Sequence, residues 1–554
     1  MNYTRPIIIK RFVRNNKGKV ALVLVSAIVS SLTSALLPLS IGAYYQIAFN
    51  DDSGKGKLLE KFGLVLSDLS AFFLFFATLI LVKGISSWIE NSGIRQLEER
   101  FSHYVRYQLF HSQLNHTYTA FQSRPNGRYL LRYSSDQQAI QLFLSKGIIK
   151  PLSDLIFLLL ALGILMSLSS ILTFVLVAIF IFSALLMKVV SNLLQAPNEK
   201  RRSARSNLIG FIEQRFNAFT TIKAFNRIHP EEEKFVNRNN NLLSANIRYH
   251  NLNSINKTAP QVIFFIAIGL LLYLSTLPAI QPQIQAGTLL VFILMLLYMQ
   301  SAYRRMLRVP SIRSSGSASF EHFIRLLNLE SEVQHTQLDL KDIKRNPSIH
   351  FNELRYGFDT DRELFHINAK LQAGHIHRIQ GPSGSGKSTL LKLLLKLYPC
   401  ESGRIFIGEH DINSIGVHDL RKIVTIVSED YPLIGKSIFE SISYSRNESK
   451  RADVAKLLFQ LQLCSEEGSE AYLDRTLKPQ GSDLASGERK MLLLARALLT
   501  KKPILLLDDP FGGLTHEMES HMTRMLNEIR PKQLILIVSQ HIPASLTIDQ
   551  TIEL

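Results

Sequence analysis

The 554-residue chain carries 63 Lys and Arg against 45 Asp and Glu, a formal charge of +18, with 19% charged residues and a mean hydropathy of +0.10. That length exceeds one hydrophobic core and calls for at least two domains, and the hydropathy is high for a wholly soluble protein because the apolar residues gather in long runs before about residue 308. The basic residues form no arm or stripe, which argues against nucleic acid as a partner, and Cys400 and Cys464, far from any C-x-x-C spacing, argue against a disulfide framework or a zinc site.

Six apolar segments, 20–47, 69–88, 148–168, 171–190, 261–279 and 288–302, each have about the length that crosses a bilayer. The uncharged stretch 155–187 would run roughly 50 Å as one helix, beyond a ~30 Å hydrocarbon core, so it divides into two helices turning at 167–170. Basic residues precede the first run, but that run is too long for a signal peptide and further spans follow, so it reads as an uncleaved anchor. Lys10, Arg11, Arg14, Lys17 and Lys19 before the first span, with the basic segments 90–147 and 191–258, place those segments and both termini in the cytosol. The connector near 278–285 on the opposite side has no charge. Lys83, Asp154 and Lys188 sit within or beside spans. Snorkelling from the cytosolic ends is the first reading for them and substrate contact the second.

A Ser- and Arg-rich run at 308–319 and a polar stretch at 330–346 read as linker, after which short strand-like segments alternate with helices, as in an α/β domain. The expected division is a membrane domain at 1–325, a linker at 326–346 and a nucleotide-binding domain at 347–554. A strand at 375–380 runs into Gly381, Pro382, Ser383, Gly384, Ser385, Gly386, Lys387 and Ser388, a G-x-x-x-x-G-K-[ST] pattern, and then into an apolar helix from Thr389. Glycines let backbone N–H groups close around phosphates, the helix N-terminus adds positive potential, Lys387 reaches the outer phosphates and Ser388 ligates Mg²⁺. A second apolar strand, 504–507, ends in Asp508 and Asp509: the first carboxylate suits Mg²⁺ and the second an attacking water.

Together these residues resemble the ABC transporter superfamily, in the exporter type that fuses six membrane helices to one ATP-binding cassette and works as a pair of halves. The resemblance implies an all-α membrane domain followed by an α/β P-loop ATPase domain with a helical subdomain, and ATP and Mg²⁺ as ligands. It implies that Phe358 stacks on adenine, that Leu484, Ala485, Ser486, Gly487 and Glu488 stand at the signature, and that His541 contacts the γ-phosphate. Glu429 occupies the place of a metal-facing Gln, and Ala495-Arg496-Ala497-Leu498 sets the register of the signature helix. Segments 121–136, with Gly127, Arg132 and Asp136, and 221–225 resemble the two coupling segments that press on the cassettes.

Four departures carry consequences at a site where about 1 Å of misplacement can lower a rate 10²-fold. Asp509 replaces Glu at the catalytic carboxylate; Glu429 adds charge beside a triphosphate; Ala485 lacks a donating hydroxyl while Ser486 and Glu488 replace Gly and Gln; and Gly512-Gly513-Leu514-Thr515 lacks an aspartate. The expectation is intact ATP binding with slow hydrolysis, in a multi-pass protein of a bacterial inner membrane. The preferred partner is an unlike second half, and a homodimer is the alternative. A largely non-hydrolytic regulatory subunit is the competing function, and an importer is disfavoured by the domain order. Lipid surrounds the spans and the transported substrate is left open. Ser26, Ser30, Ser31 and Ser34 suit either a polar face or close helix packing.

Overall fold

The computed structural model describes residues 4–49, 69–122, 129, 132–277, 286–332, 341–357, 363–401, 403–444, 450–465 and 467–554. The expectations for Phe358, Gly127, the 278–285 connector and residues 333–340 of the linker lie outside the described residues. The chain divides into two compact units, Met1–Leu114 with Arg124–Leu329, and Asn115–Ser123 with Glu330–Leu554.

Among the described residues of the first unit, six helices are long and apolar enough to cross a membrane. They lie in α1 (Lys17–Phe49), α2 (Leu69–Leu114), α3 (Lys150–Leu168), α4 (Ser170–Leu193), α5 (Ile228–Ser275) and α6 (Ala286–Leu327). The turn expected within the uncharged stretch is Ser169, whose extended backbone (φ −157°, ψ 111°) separates α3 from α4. Several helices outrun their apolar segments. With 46 and 48 residues, α2 and α5 run about 70 Å, more than twice the hydrocarbon thickness, so their polar halves continue outside it.

The Ser- and Arg-rich run at 308–319 is likewise helix and not linker. It lies inside α6, because Phe320, Phe323 and Leu326 beyond it are buried with Phe101 and Phe143 in one cluster and draw the helix onward. A second cluster along the spans joins Phe157, Leu165, Phe264, Phe292, Met295 and Met299. The opposite faces leave Phe73, Leu74, Leu81 and Trp88 exposed, which only lipid tolerates at such density.

Two of the ionisable groups in the spans are paired within the protein and do not snorkel. Lys83 Nζ donates to Ser30 O (3.0 Å), Ser30 Oγ (2.8 Å) and Ser34 Oγ of α1. Asp154 accepts from Nε and Nη2 of Arg305, each at 2.7 Å. Glu90, buried on α2, takes Lys150 at 2.5 Å and the Ser153 hydroxyl at 2.9 Å. Lys188 is exposed. Buried charge is tolerated where acceptors and counter-charges surround it, and this bundle supplies both.

Among its described residues the second unit holds two sheets. An antiparallel sheet takes β1 (Ser348–Tyr356), β2 (Phe365–Gln372), β4 (Ile405–Ile407) and β5 (His410–Asp411) in the order β2-β1-β4-β5. The other is parallel, with β3 (Ile376–Gln380), β6 (Val424–Val427), β7 (Ile504–Asp508), β8 (Leu534–Val538) and β9 (Gln550–Glu553) in the order β6-β7-β8-β3-β9.

Its strands are near-continuous apolar runs because both faces are covered. Ile504, Leu506, Leu534 and Leu536 join a core beneath helix α7 (Lys387–Leu394), whereas Leu505, Leu507, Ile535 and Ile537 join Phe511, Met491 and Leu494 of helix α8 (Ser486–Leu499) on the other face. Helix α9 (His516–Ile529) completes that second face with Met522 and Leu526. Register then places the site. Val427 pairs with Leu507, Asp508 with Val538 and Val538 with Ile379, so the residues that follow β3, β6, β7 and β8 all leave the sheet at one edge.

Candidate functional site

At that edge the Gly-rich loop joins β3 to α7. Gly384 (φ 85°) and Gly386 (φ 93°) occupy the left-handed region, and a Cβ on Gly386 would stand 2.6 Å from the Phe365 ring, so both torsion and space require glycine. Gly381 is equally confined, its imagined Cβ 2.7 Å from Ser385 Oγ. Lys387 folds back over the loop, donating to Gly381 O at 2.8 Å and Pro382 O at 2.6 Å. Ser385 Oγ is buried with no hydrogen-bond partner among the described residues. Pro382 and Ser383 are exposed along the loop and Thr389 lies in the first turn of α7. A ring of backbone, an ammonium and an orphaned hydroxyl fits a phosphate chain.

Asp508 sits at the end of β7 between two hydroxyls: Ser388 Oγ donates to its Oδ1 at 3.4 Å and Ser428 Oγ to its Oδ2 at 3.3 Å. Burial pushes its carboxyl above the ordinary aspartate range; the two hydroxyls pull it down, and Asp430 and Asp509 nearby add to the rise. A half-buried carboxylate between two hydroxyls makes an oxygen donor set suited to a divalent cation, and Glu429 adjoins Ser428 in the chain.

Asp509 itself has a left-handed backbone (φ 46°), uncommon for a side chain with a Cβ. Its N–H donates to Val538 O at 2.7 Å and its Oδ1 accepts from Ser539 Oγ at 3.2 Å. Ser539 Oγ also lies 2.7 Å from His541 O, and its single proton serves one of these two acceptors at a time, so one buried hydroxyl stands between the two expected catalytic positions. The His541 ring is exposed and lies 3.2 Å from Glu519 of α9.

The signature segment opens α8. Ala485, at its N-cap with an extended backbone (φ −62°, ψ 151°), has no side-chain cap to offer, and Ser486 is exposed in the first turn. Leu484 is buried. Gly487 is closely packed, and a Cβ there would stand 2.8 Å from Met518 Sδ, a flexible side chain that would have to shift. Glu488 turns into its own chain: Tyr472 donates to Oε1 at 2.7 Å and Arg475 at 2.8 Å, and burial with this carboxylate raises the Tyr472 phenol. Thr515, where an aspartate was expected, caps α9 by accepting from Met518 N at 3.3 Å.

Sequence reasoning brought out the loop, both aspartates and His541 but missed the serines that join them. A serine after a strand is common, and only the parallel register turns Ser428 and Ser539 toward Asp508 and Asp509. It also passed over the short helix Tyr118–Gln122 as part of the cassette unit. That helix groups with the second unit, where the Tyr118 ring meets the Tyr398 ring edge-on at 5.6 Å.

Comparison with known proteins agrees with this architecture. Residues 20–303, just over half of the chain, match the ABC transporter transmembrane region, and residues 364–512 match the ABC transporter family. An ATP-dependent lipid A-core flippase of Haemophilus influenzae is 25% identical over 471 residues, 84% of this chain and 80% of the relative, and one of Photorhabdus laumondii is 24% identical over 88% and 84%. In fold, a bacterial Atm1-family ABC exporter with ATP bound superposes with a TM-score of 0.80 at 19% identity, over 94% of this chain and 91% of the other. The chain therefore belongs to the ABC transporters, as a multi-pass inner-membrane half-transporter of the exporter type that carries its own ATPase cassette in the cytosol.

Proposed function

We propose that this chain is the ATP-binding half of an exporter whose own site hydrolyses slowly and whose pump is completed by an unlike second half, with the membrane domain at 1–325, the linker at 326–346 and the cassette at 347–554. The carrying observation is Asp509: its carboxylate is one methylene shorter than Glu, and its Oδ1 lies 3.2 Å from Ser539 Oγ, a hydrogen bond that restrains the shorter side chain. Lys387 leaves its carbonyl partners for the outer phosphates of ATP, Phe358 stacks on the adenine, and the backbone from Gly381 to Thr389 encloses the phosphate chain.

Ser388, Asp508 and Glu429 would hold Mg²⁺, which when bound neutralises phosphate charge. Asp509 orients the attacking water and His541 turns toward the γ-phosphate. Ala485 to Glu488 form the face offered to the partner's nucleotide, and the locking of Glu488 by Tyr472 and Arg475 weakens that face further.

Turnover of the purified protein in lipid, measured alone and with candidate second halves, tests this reading. Alone it should fall below about one ATP per second, the low end of common enzyme rates. Vigorous turnover of the chain alone, lost on Asp509→Asn, would overturn it. A purely regulatory role is not favoured, because the named relatives are flippases.

For the cargo we propose an amphipathic anion of lipid type. Lys83, Lys150 and Arg305 face Glu90 and Asp154 in the bundle, three cations to two carboxylates, an excess of one positive charge within this group.

A further inference from the structure

Glu429 and Asp509 bring two half-exposed carboxylates to a site that takes a triphosphate, and bare they would repel it. Between them lies Lys490 of α8, a residue given no role so far, with a side chain only 7% exposed. Its Nζ donates to Asp509 O at 2.8 Å and to Gly512 O at 2.6 Å, and stands 3.5 Å from Glu429 Oε1 and 3.7 Å from Asp509 Oδ2. A buried ammonium persists where acceptors surround it, and this one has two carbonyls and two carboxylates.

We propose that Lys490 is a positioning residue of the nucleotide site: the built-in counter-ion of Glu429, which also holds the 509–512 loop and through it the Asp509 carboxylate. The Glu at position 429 and the Lys at position 490 thus form one unit. The second cancels the charge that the first adds beside the phosphates, and it ties the signature helix to the loop behind the catalytic position. This rests on the reading of Glu429 as a site residue given above, and the experiment therefore reads binding, to which hydrolysis does not contribute.

Affinity of the full-length protein in lipid for a fluorescent Mg·ATP analogue, measured across a double-mutant cycle, decides between a counter-ion and a mere staple of the loop. Lys490→Met should weaken binding roughly tenfold, the size of a coupled charge pair. Glu429→Gln, which keeps an oxygen for the metal but drops the charge, should recover most of that loss in the Lys490→Met background, and Lys490→Arg should bind within about threefold of the parent.

Undiminished binding by Lys490→Met, or a loss that Glu429→Gln leaves untouched, overturns the proposal. Melting temperatures check folding, and Lys490→Gln replaces Lys490→Met in the cycle if the methionine variant does not fold. Asp509→Asn turnover is scored separately: coupling at 429 and 490 with unchanged turnover in Asp509→Asn keeps this inference and removes Asp509 from catalysis, whereas lost turnover without coupling does the reverse.

Discussion

The phosphate loop and the signature segment are two small-residue turns that each open a helix of the same cassette, and they are held in opposite ways. In the loop, glycines are demanded by the backbone itself: Gly384 and Gly386 are left-handed, and Phe365 leaves no room for a Cβ at 386. At the signature, Gly487 is closely packed only against the flexible Met518 side chain, and no position from 485 to 488 requires a left-handed backbone. Letters there can change without disturbing the fold: Ala485 forgoes a cap, and Glu488 finds Tyr472 and Arg475. Where the backbone conformation is the function, substitution is blocked; where a side chain is the function, it can drift while the helix stays in place.

Three experiments sharpen or break that contrast. The largest effect is expected at the loop, where Lys387→Ala removes the ammonium that spans Gly381 and Pro382 and should weaken ATP binding by about a hundredfold or more, read by nucleotide titration. Binding that survives would mean the loop is not the phosphate site. Next, restoring letters at the drifted positions, Ala485→Ser with Asp509→Glu, should raise turnover of the complex about tenfold or more, because a longer carboxylate returns at this chain's own nucleotide and a hydroxyl donor at the partner's. No gain would place the limit elsewhere.

The smallest effect concerns Asp508. Burial raises its carboxyl above the ordinary value of 3.8, so its contribution to stability is fully present below that value and is lost as pH rises through the raised one. At neutral pH the ionised group therefore destabilises the nucleotide-free protein, and Asp508→Asn should melt a few degrees higher at pH 7 without nucleotide or Mg²⁺. The gap should close as pH falls toward 4. A lower melting point for Asp508→Asn at pH 7 would show that Ser388 and Ser428 compensate the charge fully.

Much of the membrane half was legible because its signal is solvent choice. Long apolar runs declare themselves residue by residue, and even the break between α3 and α4 followed from the length of an uncharged stretch against the thickness of a bilayer. The ends of those helices were not legible. Residues 308–319 read as linker from composition, yet Phe320 and Phe323 carry α6 through them, since tertiary burial outweighs local propensity. Lys83 and Asp154 looked like ends that snorkel until Ser30, Ser34 and Arg305 supplied partners from other helices.

By itself the sequence determined the two-part division of chemistry, six spans and a phosphate loop, along with the family and the positions where the motif departs from its usual letters. Those features are local: a run of apolar residues, a spaced set of glycines and a lysine, each readable without its neighbours in space. Only the tertiary structure decided what the departures do. Ser428 and Ser539 reach the aspartates through parallel register, Glu488 is taken up by Tyr472 and Arg475, and Lys490 stands between Glu429 and Asp509 across 61 and 19 residues of chain. Charge compensation depends on distance in space, and no spacing along the chain encodes it.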